Sequence, residues 1–324
     1  MKKLLKSLLF IAIIATISSA SLFAEGYVEK QNVKVLVFGM FEVGENEGDF
    51  AGEFQHFYEN YFTDATAYDI DGLSEPLYLN SDGVAGTVAG MGKAQAASTL
   101  TAILSNPKFD FSNTYIVISG CSGIDPNEGT LGDVVIATSL VDYELGNSWT
   151  ESDNPADAGN SRFIRSNSYD NSGYFVCNPD LVNWAIDITK DVKLSDSDGA
   201  ISYRALYNQD ETVKPSIHSG ISVTGDNYWH GEASAEHAQE VCKAYDAEGA
   251  YTVTQMEDNA FGVVAKNFGL GDNLIVVRDA VNFDRPHQGQ TVVESLNASS
   301  GAFSIGMTNG FEVSKVIIDA LLTK

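Results

Sequence analysis

The sequence predicts an α/β fold: a single three-layer domain with helices on both faces of a mixed, mostly parallel central sheet. Three observations predict it. Continuous apolar runs such as VKVLVFGM (33–40) and YIVISGCSGI (115–124) have the two-sided apolarity of buried parallel strands, not the alternation of a half-exposed one. Segments of helical period stand between such runs, so strand and helix alternate along the chain. Several strand runs end in glycine, at Gly39, Gly90, Gly120 and Gly225, where open α/β sheets gather their ligands.

The elements follow in order. Residues 33–40 read as a strand and 53–62 as helix-like. GVAGTVAGMG (83–92) is a strand running into a glycine turn, and KAQAASTLTAILS (93–105) is a strong helix. Residues 115–124 and DVVIATSLVDY (133–143) are strands, LVNWAIDITKDV (181–192) is a helix, and SIHSGISVTGD (216–226) is a strand. SAEHAQEVCKAYDAEG (234–249) is a helix. A strand over 251–254 leads into a helix in which Ala260, Val263, Val264 and Phe268 recur at helical spacing. LIVVRDAV (274–281) is a further strand, and VSKVIIDALLTK (313–324) closes the chain as a helix. The stretches 144–180 and 195–212 are rich in Ser, Asn, Asp and Gly and read as surface insertions. DSDG at 196–199 hints at a calcium loop, but the rest of an EF-hand is missing. There is no tandem repeat or clear linker, so residues 25–324 read as one domain.

Residues 1–24 have the form of a secretory leader. Lys2, Lys3 and Lys6 precede the apolar run 8–17 and then Ser18, Ser19 and Ala20, with cleavage expected after Ala20 or Ala24. The expected product is exported, periplasmic or extracellular. Taking those three lysines from 19 basic residues leaves 16 against 44 acidic ones, a net charge of about −28. Such a chain repels nucleic acid, so no nucleic-acid partner is expected. Beyond the leader no stretch approaches the ~18 apolar residues of a membrane span. Cys121, Cys177 and Cys242 give an odd count: one pair could bridge in an exported protein, or all three stay free.

Familiar chemistries are mostly excluded. GMGK (90–93) is not a phosphate-binding P-loop, because Thr87 and Ala94 stand where that motif needs Gly and Ser or Thr. The five histidines form no HExxH or other close ligand pair, so no metal and no cofactor is expected. No GxSxG nucleophile elbow occurs. What stands out is the junction at 253–269, where Met256 and Glu257 sit between a strand and a helix. Acids there complement a helix dipole or cap its first turn. Alternatively, Glu257 beside an apolar Met faces a ligand that carries hydroxyl groups. Tyr228, Trp229 and Phe283 follow strands, where aromatic faces either pack the core or sandwich a planar base.

Together these pieces resemble the purine nucleoside permease family, whose members share the nucleoside phosphorylase/nucleosidase fold. The resemblance runs over nearly the whole chain after the leader. It is carried by KVLVFGMFEVGE (34–45), AGEF (51–54), GTVAGMGKAQAAS (86–98), SGCSGIDPNEGTLGDVVIA (119–137), CNPDLVNWA (177–185), DVKLSDSD (191–198), GDNYWHG (225–231), TQMED (254–258) and VVRDAVNFDRP. It implies that Met256 and Glu257 hold a ribose, the carboxylate accepting from the two adjacent hydroxyls. It implies that Asn282, where many relatives carry a proton-donating Asp, reads the purine edge, flanked by Tyr228, Trp229 or Phe283. Ile118 replaces the usual phosphate-binding Arg and Cys121 the loop Ser, with Ser122 adjacent. Gly39, Gly90 and Lys93 remain as a residual anion or backbone loop, so phosphorolysis is expected to be weak or absent.

The expected protein binds purine nucleosides for uptake or scavenging and delivers them to a membrane transport partner; its oligomeric state is left open, with a homo-oligomer one possibility. The alternative is an enzyme cleaving the N-glycosidic bond by water or phosphate, with Glu42 or Glu45 as base and Asp279 or Asp284 as acid. A third reading is an envelope protein that reuses the fold for protein–protein contact.

Overall fold

The computed structural model describes residues 29–153, 161–165 and 172–324. The leader expected at 1–24, and part of the insertion expected at 144–180, lie outside the described residues. Ten strands form the main sheet: β1 (Val35–Gly39), β2 (Thr66–Tyr68), β3 (Leu77–Leu79), β4 (Val84–Val88), β5 (Tyr115–Ile124), β6 (Val134–Asp142), β7 (Tyr174–Val176), β8 (Ile217–Thr224), β9 (Tyr251–Gln255) and β10 (Leu274–Phe283). A short α-helix (Gln55–Phe57) runs into a π-helical turn (Tyr58–Phe62) where residues 53–62 read as helix-like, and the further α-helices are α1 (Lys93–Leu104), α2 (Pro179–Thr189), α3 (Asp198–Ala205), α4 (Glu232–Ala244), α5 (Asp258–Asn267), α6 (Val292–Leu296) and α7 (Phe303–Leu321).

The sheet is mixed, as the sequence predicts. Its order is β7-β6-β8-β9-β5-β1-β4-β3-β2, with β10 joined to both β5 and β6. One parallel group contains β10, β5, β1 and β4, and another contains β6, β8 and β9. Antiparallel pairs join the groups, at β9–β5 and at β10–β6. The path β5–β10–β6–β8–β9 therefore returns to β5 and closes a five-stranded ring. The apolar runs explain why these strands lie inside: Val35 to Gly39 are all buried, as are Ile116, Val117 and Ile118. α7 packs on β5 and β10, and α1 packs on α5.

Three differences from the sequence reading have local causes. The stretch 195–212 contains α3, capped by Ser197, whose hydroxyl accepts from the Ala200 N–H at 3.0 Å. Asp196 of the DSDG stretch pairs with the buried Arg204 at 2.5 Å, and no acidic or histidine cluster suited to a metal occurs among the described residues. α7 begins at Phe303, ten residues before the expected start. Gly306 and Gly310 disguise it, but both are needed: a Cβ at either would stand 2.6 or 2.5 Å from a carboxylate oxygen of Asp279. Finally, β10 bulges at Val281, since Ala280 and Asn282 face consecutive residues of β5. That kink aims the end of the strand at the site. All three cysteines are free.

Candidate functional site

The carboxyl ends of β1, β9 and β10, with Cys121 of β5, surround a cavity of about 240 Å³. Its walls include Met40 and Phe41 after β1, Gln255, Met256 and Glu257 at the end of β9, and Arg278, Val281 and Asn282 of β10. Glu53, Met91 and Tyr228 complete the lining.

At one end sits a buried ion cluster. Arg278 is 1 % exposed and its Nη2 lies 2.5 Å from Asp258 and 3.1 Å from Glu257. Burial opposes the guanidinium charge, but Asp258 and Glu257 outweigh it and hold Arg278 well above its ordinary value. Asp258 also accepts from the Ser222 hydroxyl at 2.6 Å, so it anchors the arginine from beneath. Glu257 occupies the position preceding α5, yet its side chain caps nothing. Gln255 does that work, its Oε1 accepting from the N–H groups of Glu257 and Asp258. The Glu257 carboxylate is free to line the cavity, held by Arg278 and by the Gly92 N–H at 2.9 Å. Burial pushes its pKa up against the pull of Arg278.

Sequence reasoning missed Glu53. Its two oxygens accept from the N–H groups of Met40 at 2.6 Å and Cys121 at 2.8 Å, which places it under the ends of β1 and beside β5. Burial raises its pKa to about 7; Arg278 pulls it down, and Glu257 pushes it further up. The AGEF segment carried no role in the sequence, because nothing local ties it to those strands.

At the other end, the Tyr228 hydroxyl donates to Asn282 Oδ1 at 2.9 Å, and Asn282 Nδ2 donates to the Phe283 carbonyl at 2.8 Å. A second cavity of about 440 Å³ shares Tyr228, Val281 and Asn282 with the first, and Phe283 lines only this wider one. Trp229 lines neither; it is buried, stacked on Tyr143 with centroids 5.5 Å apart and edge-on to Tyr251.

The remaining candidates are engaged elsewhere. The Glu42 carboxylate gathers the N–H groups of Val43, Gly52, Phe54 and Gln55 and so fixes the loop after β1. Glu45 is exposed. Asp279 faces α7 and is raised to about 8 by burial and by Glu53. Asp284 accepts from Tyr251 and Arg285, both at 2.7 Å, and is raised to about 6 by burial. None of these four lines either cavity. The Ser122 hydroxyl donates to the Asp279 carbonyl. Gly39 lies tight against the Glu53 backbone, and Gly90 takes a φ of 87° at the turn before α1. At that helix start the donors are already taken by acids: the Gly92 N–H by Glu257, the Lys93 N–H by Asp226, and Lys93 Nζ by Asp142 at 3.1 Å and Glu144 at 2.7 Å.

Comparison with known proteins agrees with this architecture. In solved structures the fold matches 5′-methylthioadenosine/S-adenosylhomocysteine nucleosidase from Neisseria meningitidis, with a TM-score of 0.58, 14% identity, and coverage of 90% of this chain and 99% of that one. It also matches futalosine hydrolase of Helicobacter pylori, with a TM-score of 0.59, 12% identity, and coverage of 89% and 98%. A probable purine nucleoside permease of Schizosaccharomyces pombe is 29% identical over 327 residues, covering 92% of each chain. A purine nucleoside permease of Candida albicans is 28% identical over 241 residues, 68% of this chain and 59% of that protein. The family model described as purine nucleoside permease (NUP) matches residues 32–324, and the chain belongs to the purine nucleoside permease family.

Proposed function

We propose that this protein is an exported purine-nucleoside-binding protein that serves nucleoside uptake or scavenging. The observation that carries the reading is the presentation of Glu257: helix capping is delegated to Gln255, and the carboxylate is left against the cavity. A carboxylate with two acceptor oxygens suits the paired hydroxyls of a ribose. Met256 packs beside the sugar, and Asn282 with Tyr228 meets the base edge at the other end. The cavity is small for a ligand pocket, where ~300 Å³ is the usual lower bound, and so favours a compact ligand. Among the described residues no helix is long and apolar enough to cross a membrane. In this reading, uptake passes through a membrane partner that receives the nucleoside. Calorimetric titration with inosine tests it: saturable binding that Glu257→Gln weakens is expected, and no binding of inosine, guanosine or adenosine overturns it.

One observation favours a second reading, cleavage of the N-glycosidic bond. Glu53 borders the cavity within the field of Arg278 and Glu257, with a pKa near neutrality. In that role it replaces Glu42 or Glu45 as the base: it takes a proton from water, the water oxygen bonds to C1′, and the C1′–N9 bond breaks with its electron pair leaving on the base. Asn282 cannot protonate that base, so the proton comes from solvent. An assay for free purine from inosine and adenosine, with and without phosphate, decides between the readings; release abolished by Glu53→Gln makes the protein a hydrolase.

A further inference from the structure

We infer that the wider cavity is a subsite for an uncharged, bulky substituent on the purine, so that the preferred ligands are base-substituted purine nucleosides. This rests on the nucleoside reading above and extends it to a class of ligand.

The placement of the wider cavity decides which end of the ligand it serves. It shares Tyr228, Val281 and Asn282 with the narrow cavity, but Met256, Glu257 and Arg278 line only the narrow one. A nucleoside with its ribose on Glu257 and its base at Asn282 therefore meets the second space at the base, not at the sugar. The Tyr228–Asn282 hydrogen bond lies in the shared wall.

The lining sets the chemistry. It includes the rings of Phe50, Tyr203, Phe283 and Phe303 and no Asp, Glu, Lys or Arg. A phosphate or carboxylate would find no countercharge there, on a chain of net charge −25. Phe50 stacks on Phe303 with centroids 5.5 Å apart, yet Phe50 and Leu296 are each 57 % exposed. Large apolar side chains left in water at a cavity mouth gain by being covered. The polar groups of the wall are uncharged, the hydroxyls of Ser299, Ser300 and Ser304 among them; His230 Nε2 lies 2.8 Å from the Ser295 hydroxyl, and burial lowers the His230 pKa and favours its neutral form. An uncharged aromatic group such as benzyl, with room for a hydroxyl near His230, fits this lining.

The test is calorimetric titration of the full chain with adenosine, N6-benzyladenosine and 5′-benzylthio-5′-deoxyadenosine. N6-benzyladenosine is expected to bind at least tenfold more tightly than adenosine, with no such gain for the 5′-substituted compound. Ser304→Trp, an exposed position that lines only the wider cavity, is expected to remove the gain and leave adenosine affinity within about twofold. Ser299→Trp is the second blocking variant, should the first disturb α7. Adenosine binding with no benzyl gain, a gain confined to the 5′ compound, or a gain that survives both blocking variants overturns this inference and leaves the nucleoside reading standing. Failure of adenosine, inosine and guanosine to bind overturns both.

Discussion

Arg278 in β10 and Arg285, two residues past its end, form a natural comparison. Both are buried among acids. Arg285 contacts Asp284 and Asp125 at 2.7 Å, Glu232 at 3.3 Å and the Tyr251 hydroxyl at 2.7 Å. Its cluster is closed because the group borders neither cavity. It ties the segment after β10 to β9, to the loop after β5 and to the start of α4. Arg278 has the same kind of partners, but its cluster borders empty space and leaves Glu257 and Glu53 on the cavity wall. A buried arginine with acids is therefore not a functional sign in itself. The cavity beside it makes the difference.

The largest effect should come from breaking the two clusters. Arg278→Met leaves Asp258 and Glu257 buried without a cation, a loss expected to be about 3–5 kcal/mol in urea unfolding. Arg285→Met should cost less, because it strands one fully buried carboxylate, Asp284, while Asp125 and Glu232 keep more access to water. Equal losses would erase the contrast.

The next prediction separates binding from stability. Glu257→Gln should weaken ribonucleoside binding by about 1.5–3 kcal/mol and 2′,3′-dideoxynucleoside binding much less. Asp284→Asn, in the closed cluster, should leave both affinities unchanged. Calorimetry showing the same loss for both ligands would detach Glu257 from the sugar.

The pH dependence gives a smaller signal. Glu53 keeps its proton up to about pH 7 when folded, against an ordinary value of 4.5. Between those values the folded state binds more protons than the unfolded one. Its contribution is thus fully present below pH 4.5 and lost as pH rises through 7. One such group contributes a slope of at most about 1.4 kcal/mol per pH unit. Glu53→Gln should flatten the fall in stability between pH 5 and 7.5, while Asp279 and Asp284, raised in the same sense, keep part of it. An unchanged slope in denaturant melts across that range would show that Glu53 stays ionised.

The smallest effect is that of phosphate at the residual anion loop. Lys93 and the N–H groups at the start of α1 are already paired with acids of this chain. Lys93→Met should cost about 1–3 kcal/mol of stability, because the buried Asp142 loses its charge-assisted hydrogen bonds to Lys93. Phosphate should accelerate base release from inosine little or not at all, and strong saturable stimulation by millimolar phosphate would overturn that.

Much of the fold was legible because burial writes itself into composition. The run 115–124 reads as a strand and is β5 over those same residues. The ring was not legible, since its two antiparallel closures depend on residues far apart, such as Val253 facing Ile124 and Arg278 facing Val135. α3 was hidden by the same Ser and Asp residues that cap and pair it. At the site, Glu257 was visible as an acid at an odd place, and the structure puts it on the wall of a cavity. Glu53 was invisible because its partners are the backbone N–H groups of Met40 and Cys121, 13 and 68 residues away, and backbone donors leave no trace in sequence.

The closed ring also governs how the molecule opens. In an open sheet an outer strand detaches by breaking one ladder, whereas each of β5, β10, β6, β8 and β9 is held on two sides. Amide hydrogens in these five strands should therefore exchange as one block, near the free energy of global unfolding. The short strands β2 and β3 lie outside that block and should exchange through smaller openings. Glu257 follows β9, Arg278 belongs to β10, and Glu53 hangs from the β5 backbone at Cys121. The charged groups of the cavity are thus mounted on the slowest-exchanging part of the protein, and the spacing between them should persist through local fluctuations that loosen the sheet's margin.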